Sequence, residues 1–491
     1  LLLPCNRSGA DDWSQWLGNS RDGIWREKGL LDLFPKQGPP VKWLVPVGGG
    51  YGGPAVVGDR VFLMDRILPE GVREAQNPFV KSNSHGNERI ICLDRNNGKL
   101  IWEYSYPVQY LMQYPCGPRC TPTIDQDQVF SLGAMGDLVA LKLSSGKLLW
   151  KRSFTADYGA KTPVWGFASH PIVVGNLVIT LVGGKDGESV VMAFDRNNGN
   201  PVWKALSLEN PQNDIGYCPP VLIEHGGKKI LVIWHPEAVC GLVPETGRLI
   251  WQVPFKLKAN LSVPTPRYHQ GKLFVSSFYN GSMLMNLSPA GDSAKVLWKG
   301  NGRGETPKQT DGLHCIMSTP LIEGDFIYGV CSYGELRCLR LSDGGRVWED
   351  LKATGSADAP VERWANAFLV QNEGRTILFN EKGDLIIARL TPAGYQELSR
   401  SHIIDPTGVA PAGGVNRKIV WSHPAFANRC VFVRNDKELV AIVEILGEKA
   451  NGSCASLRVV EIPDGVDWKS TNMTEKNGSP KCIGHGTKKV L

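Results

Sequence analysis

The sequence predicts an all-β fold, an eight-bladed β-propeller of four-stranded antiparallel blades, from a repeated motif and a turn-rich composition. The 491 residues include 55 Gly and 33 Pro, which favours many short strands joined by turns over helices. A Gly-x-x-x-Trp motif recurs about every fifty residues, and a period of this length indicates a repeat array. Five clear copies and one looser copy are Gly98–Trp102, Gly146–Trp150, Gly199–Trp203, Gly247–Trp251, Gly344–Trp348 and Lys295–Trp298.

Each repeat unit contains the pattern of four short strands. In residues 121–152, four apolar or β-branched runs alternate with tight turns of Asp, Gln, Ser and Gly, and no segment has helical periodicity. The last turn is often Asn-Gly or Thr-Gly, as at Gly98, Gly199 and Gly247, which supplies the positive φ of a short hairpin. Four-stranded units repeated around an axis make a propeller. The Trp residues are therefore expected to pack between neighbouring blades and to have no catalytic role.

Seven blades are complete in the sequence, and an eighth lacks its outer strand. The seven are expected at approximately 55–104, 119–152, 168–205, 218–253, 263–300, 317–350 and 364–400. The eighth begins at Trp421, and we expect the N-terminal strand around Trp43 to complete it and close the ring. Residues 11–446 then form the propeller, with 66–89 and 104–118 as loops of the first blade.

The two ends of the chain differ from the repeat in composition. Residues 447–491 are polar and aperiodic and are expected to form an extended tail. Residues 1–10 are typical of the end of a secretory signal peptide, with small residues before a cleavage point, although a frayed terminus has the same composition. We therefore expect an exported protein, periplasmic or associated with the outer membrane. No run of 18 apolar residues occurs, so no transmembrane span is expected.

Charge and cysteine content narrow the possible partners only slightly. The net charge of +6 is spread along the chain without a basic cluster, so no nucleic-acid partner is expected. The count of twelve cysteines does not distinguish an oxidising from a reducing cellular compartment. Cys116 with Cys120, and Cys331 with Cys338, are spaced to allow disulfides in an exported protein, and buried free thiols are equally compatible with the sequence.

Two repeat units carry a specific resemblance to a known family. The stretches Leu93–Trp102 and Ala193–Trp203, with Asp-Arg-Asn-Asn-Gly before the Trp, resemble the pyrroloquinoline-quinone-like (PQQ-like) propeller repeat. The opening Asp12–Gly18 with Arg21-Asp22-Gly23 is similar to the start of exported bacterial members. The family includes the outer-membrane assembly protein BamB and quinoprotein alcohol dehydrogenases, whose functions differ. The resemblance therefore implies a fold and leaves the function open.

The dehydrogenase alternative implies a PQQ cofactor with calcium. Such an enzyme would need carboxylate and amide oxygens around the calcium, an Asp general base and a Trp beneath the quinone. Many of these enzymes also carry adjacent cysteines, and the sequence contains neither a Cys-Cys pair nor a Cys-x-x-Cys-His haem site. We therefore expect no cofactor and assign no catalytic residue.

The candidate binding surface is the channel mouth, where the innermost strands begin. Several of these starts place a Ser or Thr close before a Pro, and Arg, His and aromatic residues stand beside them. Such side chains can hold an anionic or aromatic ligand through cation–π and charge-assisted contacts. The candidates are Arg119, Trp165, His170, Tyr217, His314, Arg363, Trp364, Trp421 and His423. A His-Pro pair is also compatible with a packed turn, and the spacing of the three histidines gives no chelate pattern, so no metal site is expected.

The favoured interpretation is a non-enzymatic, exported propeller that acts as a binding or scaffold module in the cell envelope, as a monomer. Its partner is expected to be an envelope protein or a small ligand at the channel mouth. A propeller presents loops around a rigid disc, and this suits protein docking. The alternative is a PQQ-dependent alcohol or sugar dehydrogenase.

Overall fold

The computed structural model describes residues 11–75, 77–300, 302, 304–355, 361–412 and 415–443. The predicted signal-peptide end at 1–10 and the predicted polar tail at 447–491 lie outside these residues. Within the described part of the chain, no helix has the length and apolar content needed to cross a membrane.

The described residues form eight four-stranded antiparallel sheets, as the repeat predicts. The strands are β1 (Val41–Pro46), β2 (Ala55–Val57), β3 (Arg60–Ile67), β4 (Ser84–Asp94), β5 (Leu100–Tyr110), β6 (Thr123–Asp125), β7 (Gln128–Leu132), β8 (Asp137–Lys142), β9 (Leu148–Ser153), β10 (Ile172–Val174), β11 (Leu177–Leu181), β12 (Glu188–Asp195), β13 (Pro201–Ser207), β14 (Val221–His225), β15 (Lys228–His235), β16 (Ala238–Leu242), β17 (Leu249–Pro254), β18 (Arg267–His269), β19 (Lys272–Ser277), β20 (Gly281–Leu287), β21 (Ala294–Lys299), β22 (Leu321–Glu323), β23 (Phe326–Val330), β24 (Leu336–Arg340), β25 (Arg346–Asp350), β26 (Ala367–Asn372), β27 (Arg375–Asn380), β28 (Asp384–Thr391), β29 (Gly394–His402), β30 (Gly408–Ala412), β31 (Val415–Ile419), β32 (Ala425–Ala427), β33 (Cys430–Arg434) and β34 (Glu438–Val443). The helices are α1 (Phe154–Tyr158) and the 3₁₀ turns Lys185–Gly187, Lys258–Asn260 and Pro307–Gln309.

Seven blades are sequential, with the strand orders β2–β5, β6–β9, β10–β13, β14–β17, β18–β21, β22–β25 and β26–β29, and they are numbered one to seven here. Blade eight has the order β32-β33-β34-β1, and the pair β30-β31 lies between it and blade seven in the chain. The inner strand β2 of the first blade contacts the inner strand β32 of the last, so the ring is closed.

The N-terminal strand β1 completes blade eight, as predicted. It pairs antiparallel with β34, with Trp43 opposite Ala441 and Val45 opposite Leu439. The first strand of the chain is thereby joined by backbone hydrogen bonds to the last strand among the described residues.

The Trp of one blade packs on the motif Gly of the next blade, which explains the spacing of the motif. The indole N–H of Trp150 donates to the carbonyl of Arg196 at 2.8 Å. Gly199 lies on the same ring, and a Cβ at this position would lie 2.5 Å from Trp150 Cε3. Its φ of +69° is also one that favours glycine. Equivalent Trp-to-carbonyl hydrogen bonds join Trp43 to Arg95, Trp102 to Leu143, Trp203 to Pro244, Trp298 to Leu341 and Trp348 to Thr391.

The apolar core therefore lies between the blades as well as within them. One buried cluster combines Phe62 of blade one with Val139 of blade two, and another combines Val232 of blade four with Val275 of blade five. A blade cannot bury this face alone, and this is the physical reason that the repeat folds as one body.

The first blade differs from the prediction, because part of each expected loop is strand. Strands β4 and β5 extend the sheet to residues 84–89 and 104–110, which the polar composition had assigned to loops. The polar groups in this extension satisfy one another: the Tyr106 and Tyr110 hydroxyls and the Ala134 N–H all donate to the buried carboxyl of Glu88. A sequence pattern that scores polar residues as loop misses a buried network of this kind.

Candidate functional site at the channel mouth

The N-terminal segment 11–25, called the plug here, crosses the centre of the ring. Trp13 and Ile24 pair by isolated bridges with Val56 of blade one and Gln371 of blade seven. Hydrogen bonds and ring contacts join other plug residues to Ile124, His170, Pro220, Thr265 and Phe426, which belong to or directly precede blades two, three, four, five and eight. The plug thus contacts seven blades, and no sequence pattern had predicted this central position.

Arg21 fixes the plug to the inner strand starts. Its buried guanidinium donates to the carbonyls of His170, Pro171 and Pro220 and to the side chain of Gln15. Burial lowers the pKa of Arg21, and the group remains cationic at neutral pH. The carbonyl oxygens offset the cost of placing this charge inside the ring.

A cavity of about 330 Å³ lies at the channel mouth and is called the mouth cavity here. Its lining residues are Tyr51, Phe79, Tyr114, Arg119, Trp165, Ala168, Tyr217, Leu261, Val263, Phe278, Tyr279, Ile316, Met317, Arg363, Trp364 and Trp421. The volume is at the lower end of the range of small-molecule sites. Six of the nine candidate residues line it, namely Arg119, Trp165, Tyr217, Arg363, Trp364 and Trp421.

The three candidate histidines lie outside the mouth cavity and are buried. The N–H of Thr121 donates to His170 Nδ1 at 2.9 Å, and Trp16 stacks on the same imidazole. The Nδ1 atoms of His314 and His423 contact the carbonyls of Phe278 and Pro424. Burial lowers the pKa of all three histidines, that of His423 to about 4. These histidines are therefore neutral packing groups near neutral pH.

Two groups among the lining residues that sequence reasoning missed differ in their origin. Tyr51 and Met317 stand four residues before an inner strand, as do Tyr217 and Trp421, so the strand register would have found them. Phe79 and Tyr114 come from the segments that flank the extension of blade one, and the repeat contains no signal for them.

A buried acid holds one wall of the mouth cavity in place. Glu381 accepts from the indole N–H of Trp421 at 2.8 Å and from the Arg417 guanidinium at 2.9 Å. Burial raises the pKa of Glu381, while the hydrogen bonds from Arg417 and Trp421 favour the carboxylate. Arg417 also donates to the carbonyl of Arg363, so the positions of Trp421 and of the Arg363 loop are coupled.

The cysteines of the two proposed disulfides are free thiols in the structure. Cys116, Cys120, Cys331 and Cys338 all remain unbridged. Burial raises the pKa of the Cys120 and Cys331 thiols, which keeps them protonated and unreactive. Among the described residues, no group of three or more His, Cys, Asp or Glu is arranged to hold a metal ion.

Comparison with known proteins gives one family and two groups of structural neighbours. A family model described as outer membrane protein assembly factor BamB matches residues 86–350. Tetrathionate hydrolase from Acidithiobacillus ferrooxidans is 22% identical over 326 residues, which is 50% of this chain and 58% of that protein. The chain thus spans a little over half the length of this curated relative.

The structural neighbours show the fold alone, because their sequence identities are low. BamB from Moraxella catarrhalis superposes with a TM-score of 0.50 at 13% identity, covering 82% of this chain and 98% of BamB. The quinohemoprotein alcohol dehydrogenase from Comamonas testosteroni superposes with a TM-score of 0.57 at 11% identity, covering 92% of this chain and 83% of the enzyme.

The residues at the mouth do not fit a calcium–quinone cofactor. Calcium takes six to eight oxygen ligands, mostly carboxylates, carbonyls and amide side chains. The lining side chains include neither a carboxylate nor an amide, and they consist of aromatic, aliphatic and guanidinium groups. The donor set therefore supports binding of an organic group and offers no side-chain ligands for the metal.

Proposed function

The chain belongs to the PQQ-repeat propeller family described by the assembly factor BamB, and on this premise we propose that it is a non-enzymatic binding module of the cell envelope. Its ligand or protein partner is held at the mouth cavity. The family match supports the envelope location.

The composition of the mouth cavity is the observation that carries this proposal. Nine of its lining residues are aromatic and two are arginines, and none carries a carboxyl, imidazole or thiol group. General acid–base and nucleophilic catalysis most often use groups of the latter kinds. The lining also contains Tyr51, Tyr114, Tyr217 and Tyr279, and burial raises the pKa of all four hydroxyls, which disfavours them as bases or nucleophiles. Aromatic and Arg side chains are the types enriched where proteins bind partners tightly.

The rigidity of the surrounding ring supports the same function. The plug joins the inner strand starts at the centre of the ring, and the outer strand β1 closes the ring. Loops presented by a rigid scaffold are the usual place for recognition, because little ordering is then required on binding.

Site-specific photo-crosslinking in the native envelope tests the proposal. A photoreactive phenylalanine at Tyr279, which lines the mouth cavity, is expected to give a discrete adduct that mass spectrometry can identify. The matched control is the same group at Leu100, which is 54% exposed on the outer strand of blade one. Equal adducts from the two positions, or no adduct from Tyr279, would contradict the proposal.

An activity assay tests the enzymatic alternatives on purified protein. Added quinone and calcium are expected to give no dye-linked alcohol oxidation, and added tetrathionate is expected to remain intact. Tetrathionate is included because it is named in the description of the curated relative. Turnover of either substrate that the variant Trp364→Ala abolishes would overturn the non-enzymatic assignment.

A further inference from the structure

The two ends of the plug lie at the face of the ring opposite the mouth cavity. At its start the Gly58 N–H donates to the Asp12 carboxylate at 2.8 Å, and just after its end the Arg429 N–H donates to Glu27 at 2.7 Å. Gly58 and Arg429 lie in the turns that join the first two strands of blades one and eight. The plug thus reaches the inner strand starts from the far face and returns to it. Its withdrawal would break none of the eight four-stranded sheets.

The backbone of the plug is strained at two positions. Leu17 and Arg21 have φ values of +60° and +52°, and neither is a glycine. Side chains other than glycine adopt this left-handed region only when surrounding contacts impose it. The contacts in the channel therefore hold the plug in a conformation that it would not keep outside.

Two buried imidazoles pack against one indole at the tip of the plug. The Trp16 ring lies 4.2 Å from that of His170 and 5.0 Å from that of His423. His423 also packs against Trp13 of the plug and Phe368 of blade seven, with ring centroids 6.2 and 5.0 Å apart. The two histidines are only 6% and 4% exposed. The packing of the tip therefore depends directly on the state of these two rings.

The hydrogen bonds of both imidazoles fit the neutral form. The Thr121 N–H donates to His170 Nδ1 at 2.9 Å, so a proton added to this nitrogen would oppose another N–H. His423 Nδ1 lies 2.6 Å from the Pro424 carbonyl and donates to it, so a second proton would go to Nε2. That nitrogen is buried and has no hydrogen-bond partner within the described part of the chain. Charging either ring thus breaks a hydrogen bond or buries an unpaired N–H.

The charged group that faces the imidazoles carries a positive charge. Arg21 of the plug donates to the carbonyl of His170 at 3.3 Å. Burial lowers the pKa of His170 most, and the charges of Arg21 and His423 lower it further. The thiols of Cys120 and Cys218 face Arg21 from blades two and four, and burial raises the pKa of both, so they stay neutral. Among the described residues no carboxylate forms an ion pair with either imidazole.

We propose that the plug is a pH-sensitive stopper, held in the channel while His170 and His423 are neutral and released when acid charges them beside Arg21. Release opens the channel between the mouth cavity and the far face of the ring. This device goes beyond the binding function and does not depend on it.

The direction of the pH effect follows from the histidines. Burial lowers the pKa of His423 from 6.5 to about 4, and that of His170 also falls. Their contribution to plug insertion is therefore complete above pH 6.5 and is lost as pH falls toward the folded value. At the start of the plug, burial raises the pKa of Asp12, so protonation of this carboxyl favours insertion and opposes release.

Hydrogen exchange measured by mass spectrometry on the full chain at pH 7.5 and 5.0 tests the proposal. After correction for intrinsic exchange rates, peptides from residues 11–25 are expected to exchange at least about tenfold faster at pH 5.0, as the lowered pKa of His423 requires. Peptides from the blade strands, such as β9, should change by less than about twofold. Equal protection of the plug at the two pH values, or the same acceleration in the blades, would overturn the proposal.

A double variant assigns the effect to the two histidines. His170→Gln with His423→Gln removes both titrating rings and is expected to reduce the acid acceleration of plug exchange to less than about twofold. The matched control is His85→Gln with His402→Gln, which replaces two exposed histidines and should keep the full acceleration. Unchanged acceleration in the first double variant would overturn the assignment.

A titration of the unaltered protein keeps the test decisive if the double variant does not fold. Histidine NMR follows the protonation of His170 and His423 between pH 7.5 and 4. The midpoint of plug release is expected to coincide with the titration of at least one of these rings. Release of the plug while both imidazoles stay neutral would overturn the proposal.

Discussion

The indole of Trp16 lies flat on the imidazole of His170, with ring centroids 4.2 Å apart and 14° between the ring planes. The same indole donates from Nε1 to Thr265 Oγ1 at 2.9 Å. A single plug side chain thereby connects blades three and five across the centre of the ring. The plug is part of the fold that positions the mouth cavity, and it can be tested as such.

Trp16→Ala is expected to lower the free energy of unfolding by about 2 kcal/mol, somewhat below the range for fully buried aromatic residues. It should also raise the pKa of His170 toward its ordinary value, because burial is what holds that pKa low. Chemical denaturation measures the first effect and NMR titration the second. The control is Leu33→Ala, at a residue that follows the plug in sequence and is 57% exposed. It should change the free energy of unfolding by less than about 0.5 kcal/mol. Equal effects of the two substitutions would contradict the role of the plug.

Gly199→Ala should destabilise the ring more than Gly175→Ala, and the difference isolates the contact with the Trp150 ring. Both glycines have positive φ, +69° and +59°, so both variants share the backbone penalty. A Cβ at Gly175 would meet open space, whereas one at Gly199 would overlap the indole. We expect an additional loss of about 1–3 kcal/mol at Gly199, as for other overpacked sites. Urea denaturation midpoints, converted to free energies with a common m value, measure the two losses. Equal losses would contradict the contact.

Trp364→Gly is expected to be more stable than Trp364→Ala by about 1 kcal/mol, since only glycine adopts a φ of +65° without strain. The order is the reverse of the usual one, in which Gly is the less stable of the two. Both variants lose the ring over which Arg363 lies, so the comparison between them isolates the backbone effect. Thermal unfolding measures the difference. An alanine variant as stable as the glycine variant would show that the backbone at this position relaxes.

The surface pair of His402 and Asp384 predicts a small dependence of stability on pH. Partial burial lowers the pKa of His402, but the hydrogen bonds that its ring N–H groups donate to Asp405 and Asp384 outweigh this and raise the pKa above the ordinary value. Because the pKa is higher in the folded state, this contribution is complete below the unfolded pKa and is lost as pH rises through the folded pKa.

His402→Gln should therefore lose more stability at pH 5.5 than at pH 8.5. The side chain is 51% exposed and screened by solvent, so the loss at low pH should not exceed about 1 kcal/mol. Urea denaturation at both pH values measures it. His85→Gln, which replaces an exposed histidine of β4, is the control, and a larger loss at pH 8.5 than at pH 5.5 in His402→Gln would reverse the assigned sign.

The fold was predictable because one local rule is repeated in seven of the eight blades, the exception being blade seven, whose outer strand β29 contains no Trp. Each Trp that marks an outer strand needs a neighbouring blade to pack on, so its period also counts the blades. Even the displaced copy at Trp43 was recognisable, because its environment of apolar and β-branched residues matches that of the other outer strands.

The mouth cavity was only partly predictable, because its residues follow different rules. Trp421 and Tyr217 stand at a fixed offset from an inner strand, and this periodicity is visible in sequence. His170 and His423 stand two residues before an inner strand instead of four. At that position the side chains meet the plug, which fills the channel. Phe79 and Tyr114 reach the cavity from an insertion in a single blade, where no repeat exists to align them.

The pairing of β1 with β34 has a consequence for the order of events during synthesis. Residues 41–46 leave the ribosome early, but their partners at 438–443 are among the last described residues to be made. Closure of the ring must therefore wait until all eight blades have been made, and contacts of such long range form slowly. Until then β1 has no partner strand, and blade eight, once made, has an open edge at β34. Unpaired strand edges promote aggregation, so the nascent chain most needs protection during this interval.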